Sequence, residues 1–414
     1  MRLRRLELSD IRSYDHATVE FDAGVTILVG QNAQGKTNLL EAVQRAATGS
    51  SHRVAGDGPL VRLGAEVGIV RCEVLTDASR RRTLDLEIGT GRRTRTRVDG
   101  QDVRRVAESA GVLRVVLFAP EDVAIVRGDP SERRRFLDDV LAQRRPAFAA
   151  ARSEHDRALR QRNQLLKQIR GLSGSARDAA MSSLEVWTEQ VVTQGTQIIA
   201  ARIAAIRTLA GPVDHFYRDL ADRPEPIGLT YRCSAGDDVG GQLDSTAAAP
   251  LTMVPDTAPI AEAMRRTFAE RQRHEMARGL TLVGPHRDDL ELTIGELPAR
   301  GYASQGEAWS LALALKLATY EVLAEVGDRP IVLLDDVFAE LDTTRRRRLA
   351  AACADFDQVL VTAAVEADVP LEGAKIDVEL LDGRTRLCPR DAGVVSPVTD
   401  GPSTDGLGGG MVEP

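Results

Sequence analysis

Eight consecutive residues near the N terminus have the types and spacing of a phosphate-binding loop. They read G-x-x-x-x-G-K-T and are Gly30, Gln31, Asn32, Ala33, Gln34, Gly35, Lys36 and Thr37. Glycines at both ends let backbone N–H groups curl around phosphate oxygens, and a helix that starts here adds partial positive charge. Lys36 supplies a compact ammonium for the phosphates, and the Thr37 hydroxyl is the expected Mg²⁺ ligand. The segment therefore predicts binding of ATP with Mg²⁺.

The use of lysine at position 36 supports this prediction. Lysine and arginine together number 54, yet only four of them are lysine. A planar guanidinium is bulkier than an ammonium and would splay a loop of this size. A chain that otherwise uses arginine for its cations has kept lysine where a phosphate nest requires it.

A pair of carboxylates supplies the second part of a nucleotide site. Asp335 and Asp336 follow the apolar residues 331–334, so the first acid is expected at the C-terminal end of a buried strand. That position faces the Mg²⁺ on the phosphates, which makes Asp335 the expected metal ligand. Asp336 is placed to polarise the attacking water, so Asp336 and Lys36 are the expected catalytic residues.

A serine and a glycine precede a long apolar helix pattern further along the chain. Ser304, Gln305 and Gly306 are followed by Glu307, and residues 308–320 are mostly apolar. A helix N terminus of this kind can bind phosphate. The same four residues also fit a capping box, in which Ser304 caps the helix and Glu307 reaches back.

The apolar patterns place these residues on an α/β architecture that is split in sequence. Residues 25–29 predict a strand before the phosphate-binding loop and residues 38–47 a helix after it. Alternating residues between 67 and 88 predict antiparallel strands, with Asp99 and Gly100 as a hairpin turn. We expect residues 1–129 and 279–390 to form one ATPase head. We expect residues 130–278 to form an inserted all-helical arm with a flexible loop near 234–259, and residues 391–414 to be a disordered tail.

Composition excludes several classes of protein. No apolar stretch reaches the length of a membrane span, and the start of the chain lacks a signal-peptide core, so a cytoplasmic protein is expected. The four cysteines are dispersed without a zinc pattern. A net charge of −7 means that any nucleic-acid binding must come from local patches. Arginine clusters exist, for example at residues 133–135, but none singles out a DNA-binding surface from sequence.

The motifs together resemble those of ABC-type ATPases. Residues 304–307 stand about thirty residues before Asp335, where that family has its signature motif, and Asp342, in Glu340-Leu341-Asp342, stands where it has its D-loop. In that family the signature serine of one subunit covers the γ-phosphate bound by the other. The resemblance therefore implies that Ser304, Gln305, Gly306 and Asp342 complete the site only in a homodimer.

Three further segments are similar to the RecF family of bacterial recombination and gap-repair proteins. They are residues 8–14 (LSDIRSY), residues 118–138 (FAPEDVAIVRGDPSERRRFLD) and residues 284–289 (GPHRDD). The resemblance implies an SMC-like ATPase head with a short helical arm that binds DNA and dimerises with ATP. It also implies action with RecO and RecR to direct RecA onto gapped DNA, and slow ATP hydrolysis that works as a switch.

The chain departs from the family pattern in three respects. Ala33 stands where a third glycine is common. No glutamine follows the predicted strand at residues 112–118, which leaves Glu121 as a candidate for the usual Q-loop role. Thr362, and not the switch histidine of transporters, follows Val361. His286 is expected to be a structural hydrogen-bonding residue.

Two other classes of protein share the nucleotide motifs. A transporter ATPase is disfavoured by the large helical insertion and by the absence of the switch histidine. An SMC-type structural protein is disfavoured because residues 130–278 are too few for a long coiled coil.

Overall fold

The computed structural model describes residues 1–54, 56–103, 109, 111–236 and 256–390. Within these ranges, no helix combines the length and the hydropathy needed to cross a membrane. The predicted tail lies outside the described residues, and so do residues 237–255, which make up most of the predicted flexible loop. The exact limits of the predicted domains stay a prediction.

The described residues contain fifteen β-strands. In chain order they are β1 (Arg2–Ile11), β2 (Tyr14–Glu20), β3 (Gly24–Val29), β4 (Val67–Leu75), β5 (Arg81–Gly89), β6 (Arg95–Val98), β7 (Gln101–Val103), β8 (Val115–Phe118), β9 (Ile227–Arg232), β10 (Asp289–Ile294), β11 (Leu297–Pro298), β12 (Ile331–Asp335), β13 (Gln358–Ala363), β14 (Ala374–Leu381) and β15 (Arg384–Pro389).

Eight α-helices of five or more residues accompany these strands in the described ranges. They are α1 (Lys36–Thr48), α2 (Val123–Arg127), α3 (Pro130–Arg144), α4 (Pro146–Ile169), α5 (Gly174–Leu220), α6 (Ala258–Arg278), α7 (Gln305–Ala324) and α8 (Thr343–Cys353). A kinked helical turn, Ala299–Tyr302, precedes α7.

A six-stranded sheet with the order β15-β14-β3-β13-β12-β8 forms the centre of the head. β14, β3, β13, β12 and β8 run parallel, and β15 is antiparallel at the edge. Every residue of β12 and β13 is buried, as expected for central strands of a parallel sheet covered on both faces. Because the strands are parallel, the C-terminal ends of β3, β13 and β12 lie side by side at one edge. The phosphate-binding loop and Asp335 are brought together there.

A second, antiparallel sheet has the order β2-β1-β4-β5-β6-β7. Leu39, Leu40 and Val43 of α1 share one buried cluster with Leu6 of β1 and Leu360 of β13, so α1 contacts both sheets. The antiparallel strands expected between residues 67 and 88 are present as β4 and β5. The predicted turn at Asp99 and Gly100 joins β6 to β7, with φ of 50° and 79°, which is the left-handed backbone of a tight hairpin. The split α/β head predicted from sequence is confirmed.

The insertion between β8 and β10 is dominated by helices but contains one strand. α5 has 47 residues, a length of about 70 Å, and packs along α4. The prediction of an all-helical arm is corrected by β9, which pairs with β10 from Ile227 opposite Ile294 to Arg232 opposite Asp289. The physical reason is visible in the sequence, because Leu229 and Tyr231 alternate with polar residues and are buried against the sheet.

Candidate nucleotide-binding site

The phosphate-binding loop connects β3 to α1, and its two outer glycines are required by packing. A Cβ at Gly30 would lie 2.3 Å from the carbonyl oxygen of Val378, and one at Gly35 would lie 2.5 Å from Thr385 Oγ1. Gly35 also has φ of 107°, a left-handed conformation that side chains disfavour. The spacing of glycines that the sequence displays is therefore dictated by the close approach of β14 and β15.

Lys36 lies inside the curve of the loop. Its side chain is buried, and Nζ donates to the carbonyl oxygens of Gly30 at 2.7 Å and Gln31 at 3.1 Å. Gln31, Asn32 and Ala33 are exposed at the rim. Ala33 has φ of 67°, so the residue that replaces the usual glycine takes up a left-handed backbone that costs an alanine about 1 kcal/mol or more. The loop thus presents an ammonium and backbone N–H groups on one concave face.

Asp335 is held at the end of β12 by two hydroxyl groups. Thr37 Oγ1 donates to Asp335 Oδ1 at 2.9 Å, and Thr362 Oγ1 donates to the same oxygen at 2.7 Å. Burial raises the pKa of Asp335 to about 6, while the hydrogen bonds from Thr362 and Thr37 act in the opposite direction. The two residues expected to bind Mg²⁺, Thr37 and Asp335, are therefore adjacent, although 298 positions separate them.

Asp336 adopts a strained backbone next to this pair. Its φ is 50°, its backbone N–H donates to Thr362 Oγ1 at 2.9 Å, and its Oδ1 is buried without a hydrogen-bond partner among the described residues. Strained backbones and unpaired buried acceptors are typical of functional positions. The arrangement leaves a carboxylate oxygen beside Asp335 with its capacity to accept a hydrogen bond unused.

Two residues of this cluster were missed by the sequence. Thr362 was considered only as a position without a histidine, although it lies in the buried strand β13 directly opposite Asp335, the last residue of β12. His52 lies in a loop after α1, and no sequence pattern singles it out. Its Nε2 is 3.8 Å from Asp335 Oδ2, and its Nδ1 is 2.6 Å from Gln44 Oε1. Burial lowers the pKa of His52.

The chemistry of this cluster fits Mg²⁺. Among the described residues no group of three or more His, Cys, Asp or Glu could hold a metal by side chains alone. Mg²⁺ is usually held by one or two protein oxygens, with phosphate oxygens and water as the other ligands. One hydroxyl, Thr37, and one carboxylate, Asp335, beside a phosphate loop provide such a set. When bound there, the ion would neutralise charge on the phosphates.

Glu121 lies close enough to influence this site electrostatically. It belongs to the turn Pro120–Asp122 that follows β8, and its negative charge contributes to the raised pKa of Asp335. The neighbouring Asp122 forms an ion pair with Lys316 of α7 at 2.7 Å. A Q-loop role for Glu121 stays a prediction, now with a location beside the carboxylates.

The predicted signature residues form a capping box. Ser304 Oγ accepts from Glu307 N at 3.3 Å, and Ser304 N donates to Glu307 Oε2 at 2.8 Å. Ser304 and Gln305 are exposed, and Gln305 Oε1 accepts from Arg127 at 2.7 Å. The capping-box interpretation is therefore confirmed, and the phosphate-binding interpretation stays a prediction, since an exposed, capped helix N terminus is still available to an external phosphate.

Gly306 and Asp342 are connected through Arg345. The Arg345 guanidinium lies against Gly306, where a Cβ would be 2.7 Å from Nη2. Arg345 also forms an ion pair with Asp342, which caps α8 by accepting from the backbone of Thr344 and Arg345. One arginine thus fixes the predicted D-loop aspartate against the predicted signature helix.

The signature residues do not join the phosphate-binding loop of their own chain. No hydrogen bond or ion pair in the described residues links residues 304–306 to residues 30–37. Lys316, which pairs with Asp122 near the carboxylates, is twelve positions after Ser304 in α7, a distance of about 18 Å along the helix. One chain therefore presents the two candidate phosphate-binding surfaces apart from each other.

His286 lies between α6 and β10, at the base of the arm, and contacts none of these groups. Its Nε2 is 3.3 Å from the carbonyl oxygen of Thr281, and its ring lies 5.8 Å from that of His155. Burial lowers the pKa of His286 to about 3. These contacts agree with the structural role expected from sequence.

Comparisons of sequence place these features among known proteins. A family model described as the RecF/RecN/SMC N-terminal domain matches residues 2–373. A DNA replication and repair protein RecF of Kineococcus radiotolerans is 47% identical over 375 residues, which cover 89% of this chain and 94% of that protein. The RecF of Beutenbergia cavernae is 46% identical over 393 residues, which cover 91% of this chain and 98% of that protein.

Solved structures give the same result. The recombination mediator protein RecF with ATPrS, from the RecFOR pathway, is similar with a TM-score of 0.82 and 27% identity, over 94% of this chain and 98% of that one. The corresponding RecF with ATP gives a TM-score of 0.80 over 93% and 97%. An Smc head domain of Pyrococcus furiosus gives a TM-score of 0.50 at 17% identity, which shows a shared fold alone.

Proposed function

Because the chain belongs to the RecF family of DNA replication and repair proteins, we propose that it is an ATP-dependent DNA-binding protein of recombinational and gap repair. In this proposal ATP binding drives two copies to dimerise on DNA, and slow hydrolysis resets them. The protein is then a weak, DNA-stimulated ATPase whose reaction works as a switch.

One observation carries the proposal: the chain holds a complete phosphate loop and an exposed signature helix that do not meet. Lys36, Thr37 and Asp335 are gathered at one edge of the sheet, while Ser304 caps α7 and is exposed. A second copy can cover the γ-phosphate with its own Ser304 and Gly306. ATP then acts as a bridge that is absent from either chain alone.

The proposed roles of the site residues follow from their positions. Gln31, Asn32, Ala33 and Gln34, with Gly30 and Gly35, cradle the phosphates through backbone N–H groups, and Lys36 neutralises their charge. Thr37 and Asp335 hold Mg²⁺. Asp336 orients the attacking water through its unpaired Oδ1. Gln305 and Asp342 contribute to the surface that the partner's nucleotide meets.

The proposed partners are DNA with single-stranded/double-stranded junctions, a second copy of the chain, and RecO and RecR. Support for the last two comes from similarity to RecF of the RecFOR pathway. In this scheme the protein assists RecA loading on gapped DNA. A structural SMC-type role receives less support, because the similarity to an Smc head is at 17% identity.

A pair of variants tests the shared site. Lys36→Met is expected to lose ATP binding, because it removes the charge that faces the phosphates. Ser304→Arg is expected to bind ATP with normal affinity but to remain monomeric, because the substitution lies on the face that meets the partner's nucleotide. ATP affinity is measured by equilibrium binding and dimerisation by analytical ultracentrifugation. Mixing the two variants should restore at most one of the two shared sites.

The DNA part of the proposal is tested by measuring ATP turnover and DNA retention with gapped duplex. Turnover is expected to rise with DNA, and DNA retention to require ATP. Normal ATP-dependent dimerisation of the Ser304→Arg variant would contradict the shared site. ATP turnover that is unchanged by DNA, together with failure to retain DNA in the presence of ATP, would contradict the DNA-binding function.

A further inference from the structure

A cavity at the base of the arm joins two segments that the nucleotide site leaves unused. The start of α3 contains the arginines at 133–135, and residues 284–289 close the insertion. Arg133 connects them, donating to both carboxylate oxygens of Asp289 at 2.8 and 2.9 Å. Beside this ion pair lies a cavity of about 240 Å³, bordered also by α4 and α5. The volume is ample for a phosphate group.

Arginines outnumber carboxylates in the lining of this cavity. Four arginines line it against two acids: Arg134, Arg135, Arg152 and Arg202 against Asp138 and Asp156. The cavity therefore carries excess positive charge in a protein whose net charge is −7. Concave, positively charged surfaces concentrate anions.

The acids do not neutralise these arginines one for one. Asp138 accepts from Arg202 at 2.8 and 3.0 Å and also pairs with Arg152 at 3.5 Å, so one carboxylate serves two guanidiniums. Arg134 has no carboxylate within ion-pair distance in the described structure. It makes one hydrogen bond, from Nη1 to the carbonyl oxygen of Asp288 at 2.8 Å. Arg134 and Arg152 are both partly exposed, which leaves N–H donors of these two side chains free for a ligand.

Two imidazoles on the same wall have unused hydrogen-bonding atoms. His155 is 2% exposed, and the rings of His155 and His286 are 5.8 Å apart. His155 Nε2 and His286 Nδ1 are buried without a hydrogen-bond partner among the described residues. Unsatisfied buried polar atoms are uncommon in folded proteins and indicate an additional ligand or a functional role.

We propose that this cavity is a phosphate-binding site and that, in the DNA-bound protein, its occupant is a backbone phosphate of the DNA. Guanidinium groups recognise phosphate through paired N–H donors. The identity of the occupant rests on the proposed DNA-binding function, whereas phosphate binding itself does not. The site is separate from the nucleotide loop, since it is built from α3, α4, α5 and residues 285–286.

The first experiment measures DNA affinity as a function of salt. Arg134→Gln/Arg152→Gln removes two lining charges, and Arg202 still pairs with Asp138. Arg157→Gln/Arg160→Gln is the matched control, since both residues are exposed on α4 and neither lines the cavity. Fluorescence anisotropy with a labelled duplex and ATP is recorded between 50 and 200 mM salt. Circular dichroism checks that every variant is folded, and equilibrium binding checks that ATP affinity is unchanged.

The cavity variant is expected to bind DNA about tenfold more weakly. Its plot of log affinity against log salt should be flatter by about 0.9, the slope that one neutralised phosphate contributes to duplex binding. The control should change affinity by less than about threefold. Equal effects in the two variants would overturn the assignment of a DNA phosphate to this cavity.

The second experiment tests phosphate binding without DNA. Inorganic phosphate replaces chloride at constant ionic strength in the Lys36→Met protein, which lacks the ammonium group of the nucleotide loop. The unfolding temperature should rise in this protein and not in the triple variant that also carries Arg134→Gln and Arg152→Gln. A rise without any DNA effect would assign the cavity to a free phosphate compound and overturn the DNA assignment. No rise in either protein would overturn the phosphate site itself.

Discussion

The clearest test of the packing around the signature helix is Gly306→Ala, because its effect should change sign with the residue at position 345. An added Cβ would lie 2.7 Å from Arg345 Nη2 and 3.0 Å from Cζ. Gly306 itself is within α7 and has no left-handed backbone. The substitution should therefore be harmful only because the guanidinium occupies the space.

The contacts of Arg345 set the magnitude. Its Nε donates to the buried Ser310 Oγ at 3.1 Å, and its Nη2 donates to Asp222 at 3.1 Å. Hydrogen bonds that involve a charged group contribute about 1.5–3 kcal/mol, whereas exposed ion pairs contribute about 0–1 kcal/mol. Asp222 and Asp342 are 58% and 48% exposed, so we assign the energy of an exposed ion pair to both of their contacts with Arg345. Displacing the guanidinium should cost about 2–3 kcal/mol. A helical Gly→Ala change returns about 0.5–1 kcal/mol.

Gly306→Ala should therefore destabilise the native protein by about 1–2.5 kcal/mol and stabilise the Arg345→Ala protein by about 0.5–1 kcal/mol. Thermal unfolding of the four proteins measures both differences, at roughly 2 °C for each kcal/mol in a chain of this size. A double-mutant cycle isolates the coupling. If Gly306→Ala destabilises both backgrounds equally, the guanidinium is not the cause and the reasoning fails.

Three further predictions concern other buried polar groups. Burial raises the pKa of Asp139 to about 6, so the folded state favours its neutral form, and this stabilisation is lost as pH rises through 6. Asp139→Asn should then raise the unfolding temperature at pH 8, equivalent to at most about 3 kcal/mol, and leave it unchanged near pH 3; an equal shift at both pH values would refute this. Glu275→Ala should lower the free energy of unfolding by about 3–5 kcal/mol, because the buried Arg162 guanidinium loses the Glu275 carboxylate with which it pairs at 2.6 Å. Adding Arg162→Met should restore part of that free energy, as measured by urea titration. Thr362→Val should destabilise by about 1–3 kcal/mol, because Asp335 loses its 2.7 Å hydrogen bond, and a calorimetric difference near zero would count against the bond.

The sequence was sufficient to predict a nucleotide site because the parts of that site are local. Residues 30–37 are consecutive, and their conformation is set by glycine spacing between a strand and a helix. Asp335 and Asp336 could be placed because four apolar residues before them predict a buried strand whose last residue emerges at the sheet edge. The split head was predictable for the same reason, since both halves carry strand patterns and the arm carries helical ones.

The arm shows where periodicity misled. Helical patterns dominate residues 130–278, so only helices were predicted there and the short alternation at Ile227, Leu229 and Tyr231 was missed. Its pairing partner, β10, lies beyond the arm in sequence. A strand of six residues is stable only through that distant partner, and a window of local sequence does not contain it.

By itself, the sequence determined which residues are candidates to bind phosphate and metal, since residue type and local spacing favour that chemistry. Only the tertiary structure decided what surrounds them. It brought Thr37, Asp335, Thr362 and His52 to one point, laid Arg345 across Gly306, and gathered arginines of three helices around one cavity. These contacts join positions far apart in the chain, and their partners are selected by how the sheet and helices pack, which no local pattern encodes.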